Sequence, residues 1–296
     1  MPHAFFDWLT FSSIWGYSLP RMRTNRQPTA PSSEPPFPYR PVFTLDAFTQ
    51  HLNGRRDRAR ERVKYHVARG RLKVVARGVY AVVPPGRSPA SYYPDRYLVA
   101  AAVRPDALLS HHAALELLGA AHSDWNVCTA FTARRRQPLQ LNGVKVVFVP
   151  DPAPLARSER LRTSGTRSLD REGVTLRVTG PERTLLDGFR QPRLTGGLGE
   201  LVESAAGFGV LDLDLLLDLL ALYGHRVLWA AAGWFLERFH ERFFVDDRYL
   251  RKLESHRPKS KHYLPRGSRR GGVLVPRWNL VLPTSVVRPG EPGAAE

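Results

Sequence analysis

Cysteine is almost absent from this chain. Cys128 stands alone among 296 residues, which excludes an intramolecular disulfide and any paired-cysteine zinc site. That is compatible with a reducing, cytoplasmic home. Long apolar runs are missing too. The most apolar region, 210–235, is interrupted by Asp212, Asp214, Asp218, Gly224, His225 and Arg226. No stretch therefore reaches the roughly 20 residues a membrane helix needs, and no membrane partner is expected. Acids are scarce: 27 Asp plus Glu face 44 Lys plus Arg, a net charge of +17. This balance favours an anionic partner, nucleic acid before any acidic metabolite. No phosphate-cradling GxxxxGKS, and no GxGxxG after a strand, supports nucleotide chemistry. Ser164-Gly165 and Ser204 lack the context of a nucleophile elbow. His111-His112, His122 and Asp124 lack paired HxxxH spacing and read as capping or packing residues. Asp170 and Glu172, with Glu182 and Asp187 nearby, evoke a magnesium nuclease. No lysine follows the pair at a restriction-type spacing, however, so no catalytic residue, metal or cofactor is expected. No repeat recurs at a fixed period.

What the chain does have is concentrated between Arg55 and Tyr80, RRDRARERVKYHVARGRLKVVARGVY. Ten Lys or Arg lie between Arg55 and Arg77 against two acids, Asp57 and Glu61. The pattern reads as a basic helix, a glycine stop at Gly70, and two short strands turning at Arg77-Gly78. At about 100° per residue, Ala59, Val63, His66 and Val67 share one side and can pack on a core. Arg58, Arg62, Tyr65 and Arg69 form a separate outward stripe. Arginine forks of this kind contact guanine O6 and N7 or clamp phosphates, and a tyrosine hydroxyl can do either more weakly. Lys73 and Arg77, on the hairpin, are placed to meet phosphates. Arg55, Arg56 and Lys64 could add phosphate contacts; Arg266, Arg269 and Arg270 in PRGSRRGG read first as a solvated basic loop beside the C-terminal strand, with added phosphate contacts as the alternative. An ordinary amphipathic helix with a solvated basic face is the bland alternative.

The expected fold class is α+β, an N-terminal winged helix-turn-helix followed by a mixed α/β domain. Residues 1–41 form an arm and a Pro/Ser-rich linker. The arm is aromatic but lacks a basic n-region, which argues against a secretory signal. The winged helix occupies 42–84, with Thr44 capping a helix over 45–52 and Asn53-Gly54 as a turn. It is compressed, since such modules usually carry two helices ahead of the reading helix. Residues 85–94 form a linker. The second domain, 95–288, opens with a helix at 95–103 and another capped by Ser110. Strands follow at 125–131, 138–141, 144–149 and 174–178, with Asn142-Gly143 as a tight turn. Thr179 and Glu182 form a capping box for a helix over PERTLLDGF. Helices at 197–206, 211–222 and 227–239 precede a C-terminal β return, and 289–296 is a loose tail.

Four segments in this order, GRLKVVARGVYAVVP, YLVAAAVRPDALLSHHAALELLG, RVTGPERTLLDGFRQPRLTGG and RWNLVLP, resemble the AbiEi family of antitoxins over Val42 to Pro283. Members are the transcription-factor halves of type IV toxin-antitoxin operons and act in phage defence. The resemblance implies a winged helix that represses its own operon at inverted repeats in double-stranded DNA. The reading-helix role maps onto Arg58, Arg62, Tyr65 and Arg69, and the wing role onto Lys73 and Arg77. It further implies an α/β domain needed for antitoxicity, and an AbiEii-type nucleotidyltransferase toxin countered without a stable complex. The protein would act on DNA as a monomer or a dimer. Left open beside it are a solitary winged-helix regulator, a protein-binding antitoxin module and, ranking below both, a metal-dependent nuclease.

Overall fold

The computed structural model describes residues 40–134, 136–141, 143–265 and 272–288. The arm at 1–39, the loop arginines 266, 269 and 270, Asn142 and the tail at 289–296 lie outside the described residues. Strand β1 (Val42–Thr44) runs into helix α1 (Leu45–His51), and the Thr44 hydroxyl accepts a hydrogen bond from the Ala47 amide at 3.1 Å. Asn53 and Gly54 both take positive φ, turning the chain into α2 (Arg56–Ala68). Gly70, at φ +67, ends that helix as the left-handed C-terminal conformation requires. Strands β2 (Leu72–Ala76) and β3 (Val79–Val82) then form an antiparallel hairpin around Arg77-Gly78, with an irregularity between Val74 and Ala76. The first strand was not foreseen. It pairs with β3, giving a three-stranded sheet of order β1-β3-β2. Among the described residues one helix, α1, precedes α2, with β1 ahead of it.

Phe43, Phe48, Ala59, Val63 and Leu72 are the buried centre of this small module. Its sheet also has a second partner. Val42, Val79 and Ala81 pack in one cluster with Tyr97, Leu98, Val99, Ala100 and Val103 of α3 (Arg96–Val103). Asp95 caps α3 by accepting from the Tyr97 and Leu98 amides at 2.8 and 3.0 Å. The boundary expected at 85–94 is thus crossed by a shared core, and the described residues belong to one compact unit.

Beyond α3 the chain forms β4 (Leu108–Ser110), α4 (His112–Leu117), β5 (Val127–Thr132), β6 (Leu139–Leu141) and β7 (Val144–Pro150). A short α5 (Glu159–Arg162) leads to β8 (Thr166–Arg171) and β9 (Val174–Thr179). These strands make a mixed six-stranded sheet of order β6-β7-β5-β4-β9-β8. The pairs β5/β7 and β4/β9 are parallel, whereas β4/β5 and both edge pairs are antiparallel. Helices α6 (Pro181–Arg190), α7 (Leu198–Ala206), α8 (Leu213–Tyr223), α9 (Arg226–Arg238) and α10 (Asp247–Ser255) build the second core. Against it lie β10 (His262–Tyr263), β11 (Gly272–Val275), β12 (Leu280–Pro283) and α11 (Thr284–Val287). The class is α+β.

Two expected caps are not made. Ser110 ends β4 and its hydroxyl meets His111 Nδ1 at 2.9 Å, while His111, at φ 55, is the residue from which α4 starts. Pro181 at the first turn of α6 makes Gly180 the cap residue. Thr179 is left in the sheet, its hydroxyl 2.7 Å from that of Thr184. Glu182 instead accepts from the Asp212 amide at 2.8 Å, tying α6 to the start of α8.

Candidate nucleic-acid interface

Helix α2 is held by one face. Ala59, Val63 and His66 are buried, with Val67 partly so, against the Phe43–Phe48–Leu72 cluster. That seating leaves Arg58, Arg62, Tyr65 and Arg69 exposed on the other side. Tyr65 is 50% exposed, and the Arg69 guanidinium lies 4.4 Å from its ring centroid. Such stacking orders an arginine plane without neutralising it. Among the described residues no carboxylate lies within ion-pair distance of Arg58, Arg62 or Arg69. The two acids of the helix do not face them as partners: Asp57 sits 3.6 Å from Arg60.

The flanking cations divide. Arg55, Arg56 and Lys64 are exposed around the helix, but Arg56 donates to Asp46 of α1 at 2.6 Å. Arg77 is exposed at the hairpin turn. That turn is pinned to α1, since the Leu45 amide donates to the Gly78 carbonyl at 2.8 Å. Lys73, the other wing cation, is half-buried and engaged within the chain. Its ammonium donates to the Tyr92 carbonyl at 2.7 Å and lies 6.0 Å from the Tyr93 ring, on the side of the hairpin that faces the linker. Arg71, exposed directly after Gly70, was missed as a site residue although it continues the run of positive charge. The field of this cluster is felt in the core. Burial lowers the His66 pKa, and the charges of Arg71, Arg62 and Arg69 lower it further.

The acid and histidine groups singled out in the second part of the molecule fall at separate places. His111 and His112 are fully buried. His112 lies 3.4 Å from Glu116 and 3.4 Å from Glu200, joining α4 to α7. His122 and Asp124 are on an exposed loop. Asp170, near the end of β8, and Glu172, in the turn to β9, are exposed, and Asp170 accepts from the Gly173 amide. Asp187 is fully buried, accepting from the Tyr223 hydroxyl at 2.6 Å with Arg183 and Arg190 at 3.4 and 3.6 Å. Among the described residues no group of three or more His, Cys, Asp or Glu side chains is placed to hold a metal ion. Nor is any described helix long and apolar enough to cross a membrane.

No protein-family model matches this chain, and no curated protein matches it. Among solved structures it is similar to the RV2827C protein from Mycobacterium tuberculosis. The two share 21% identity with a TM-score of 0.52, over 81% of this chain and 86% of the other. That likeness is one of fold.

Proposed function

We propose that this protein is a DNA-binding transcriptional repressor and antitoxin of the AbiEi type, with β1 to β3 acting as a winged helix-turn-helix. In this reading α2 enters the major groove, and Arg58, Arg62, Tyr65 and Arg69 meet base edges and phosphates. Arg77 and Arg71 lie beside it as backbone contacts. The observation that carries the reading is the exposed stripe on α2, whose three arginines have no carboxylate partner among the described residues. An arginine left unpaired next to a packed helix face is poised for an external anion. The net charge of +17 adds long-range attraction for a polyanion. The antitoxin role, countering an AbiEii-type nucleotidyltransferase toxin without a stable complex, rests on the four segments that resemble the family. Its operator would be an inverted repeat upstream of its own gene.

The test is binding of the full chain to that upstream DNA against scrambled DNA across a salt series. Specific binding with a negative log-log salt slope, lost when Arg58, Arg62 and Arg69 become alanine, is the expected result. Weak, sequence-blind binding would reduce the module to a scaffold. A co-purified toxin surviving high salt, without DNA binding, would favour a protein-binding antitoxin. Co-expression with the neighbouring gene tests the second half: growth arrest by that gene alone, relieved by this chain, is expected.

A further inference from the structure

Strands β2 and β6 are both sheet edges, and a cavity of about 240 Å³ lies between them. One wall is the hairpin segment Lys73–Val75 with Tyr93 of the linker, and the other is Leu141 and Val144. Val74 and Tyr93, 54% and 65% exposed, are two of the large apolar side chains that the described surface leaves most open. Apolar groups that converge on one hollow mark a binding surface more often than scattered ones do. The volume falls just short of the roughly 300–1,000 Å³ typical of drug-sized ligands, which limits an occupant to one or two rings.

Charge selects the occupant further. Lys73 and Arg96 are the charged side chains of the lining, which contains no carboxylate among the described residues. Arg96 is already satisfied: it donates to the Trp125 carbonyl at 2.6 Å, to the Tyr97 hydroxyl at 3.1 Å and to Glu116 at 2.6 Å. Lys73 donates to the Tyr92 carbonyl at 2.7 Å and has two further N–H groups. An ammonium beside valine, leucine and tyrosine gains most from a carboxylate, through a charge-assisted hydrogen bond in an apolar setting. The open Tyr93 ring supplies a stacking face next to it.

We propose that this cavity binds a small planar aromatic carboxylate, its ring on Tyr93 and its carboxylate on the Lys73 ammonium. The site shares Lys73 with the expected wing but none of the four residues of the α2 stripe, so the binding tests below do not depend on the DNA reading.

The probe is 2-naphthoate, titrated into the full chain by calorimetry with 2-naphthamide as its uncharged isostere. Saturable one-to-one binding is expected, with the carboxylate about tenfold tighter than the amide. Lys73→Met should bring the two within about twofold, and Tyr93→Ala should weaken both by about tenfold. Methyl NMR shifts should be confined to Val74, Val75, Leu141 and Val144. That map and the carboxylate–amide comparison are made on the unaltered protein, so they decide the matter even where a variant fails to fold. Equal affinity for the two probes, no saturation, or shifts centred elsewhere would overturn the proposal.

Discussion

His111 holds a backbone conformation, φ 55 and ψ −130, that a non-glycine residue rarely adopts, and it does so fully buried between β4 and α4. Its ring is kept neutral. Burial lowers its pKa to about 4, a tendency that Asp187 opposes and Arg190 and Arg183 reinforce. A histidine depressed in the folded state takes up its proton more readily when unfolded. The contribution of His111 to stability is therefore fully present above about pH 6.5, falls as pH drops toward 4, and levels off below it. The full span is worth about 3 kcal/mol. Urea midpoints at pH 7.5 and 4.5 should show a smaller acid loss in His111→Asn than in the wild type; identical losses would remove His111 from the account. On the outer surface, Arg62→Ala should cost about 1 to 3 kcal/mol of operator affinity if its fork reads a guanine. An equal loss on random DNA would make Arg62 a phosphate contact instead.

Helix α9 shows how an element can depend on having no side chain at one position. A Cβ on Gly233 would come within 2.1 Å of the Trp278 ring, which is fully buried and whose indole N–H donates to Glu237 at 2.6 Å. Gly233→Ala should therefore lower stability by about 1 to 3 kcal/mol despite its better helix propensity. A raised melting temperature would contradict the close packing. Elements with local punctuation could be read from the chain: Thr44 and Asn53-Gly54 around α1, Gly70 after α2, Gly78 in the hairpin. The stripe on α2 was legible for the same reason, since helical periodicity fixes which residues share a face. What could not be read depended on distant partners. Strand β8, TRSLDR, is a polar edge strand that exists by pairing with β9. The three residues of β4 carry no alternation of their own. The bond from the Lys73 ammonium to the Tyr92 carbonyl, nineteen residues on, has no sequence signal of its own. Helix α10 is the exception. Asp246 caps it by accepting from the Tyr249 amide, and Leu250 and Leu253 are buried on one side. That capping and spacing signal is present in the sequence itself.

At the scale of the whole molecule, the N-terminal module of β1 to β3 is not a bead on a string. Val42, Val79 and Ala81 are buried against α3 in the cluster that also contains β5 and β9. Val79→Ala should then weaken the second part as well as the first, by about 2 kcal/mol for the methyl groups lost. Tryptophan fluorescence can report it, because none of the six tryptophans falls within 42–84, and four of them, Trp125, Trp229, Trp234 and Trp278, lie in the second part. A lower urea midpoint in that signal is expected, coincident with the loss of helical circular dichroism. An unchanged midpoint would mean that the two parts open separately. The same cluster holds the lone thiol. Cys128 is fully enclosed on β5, and burial raises its pKa, so it is inert while the core is shut. Its alkylation can proceed only during excursions that open the centre of the sheet. The chain thus carries its own stopwatch: one site, no background, and a labelling half-life that counts how often the heart of the molecule meets water.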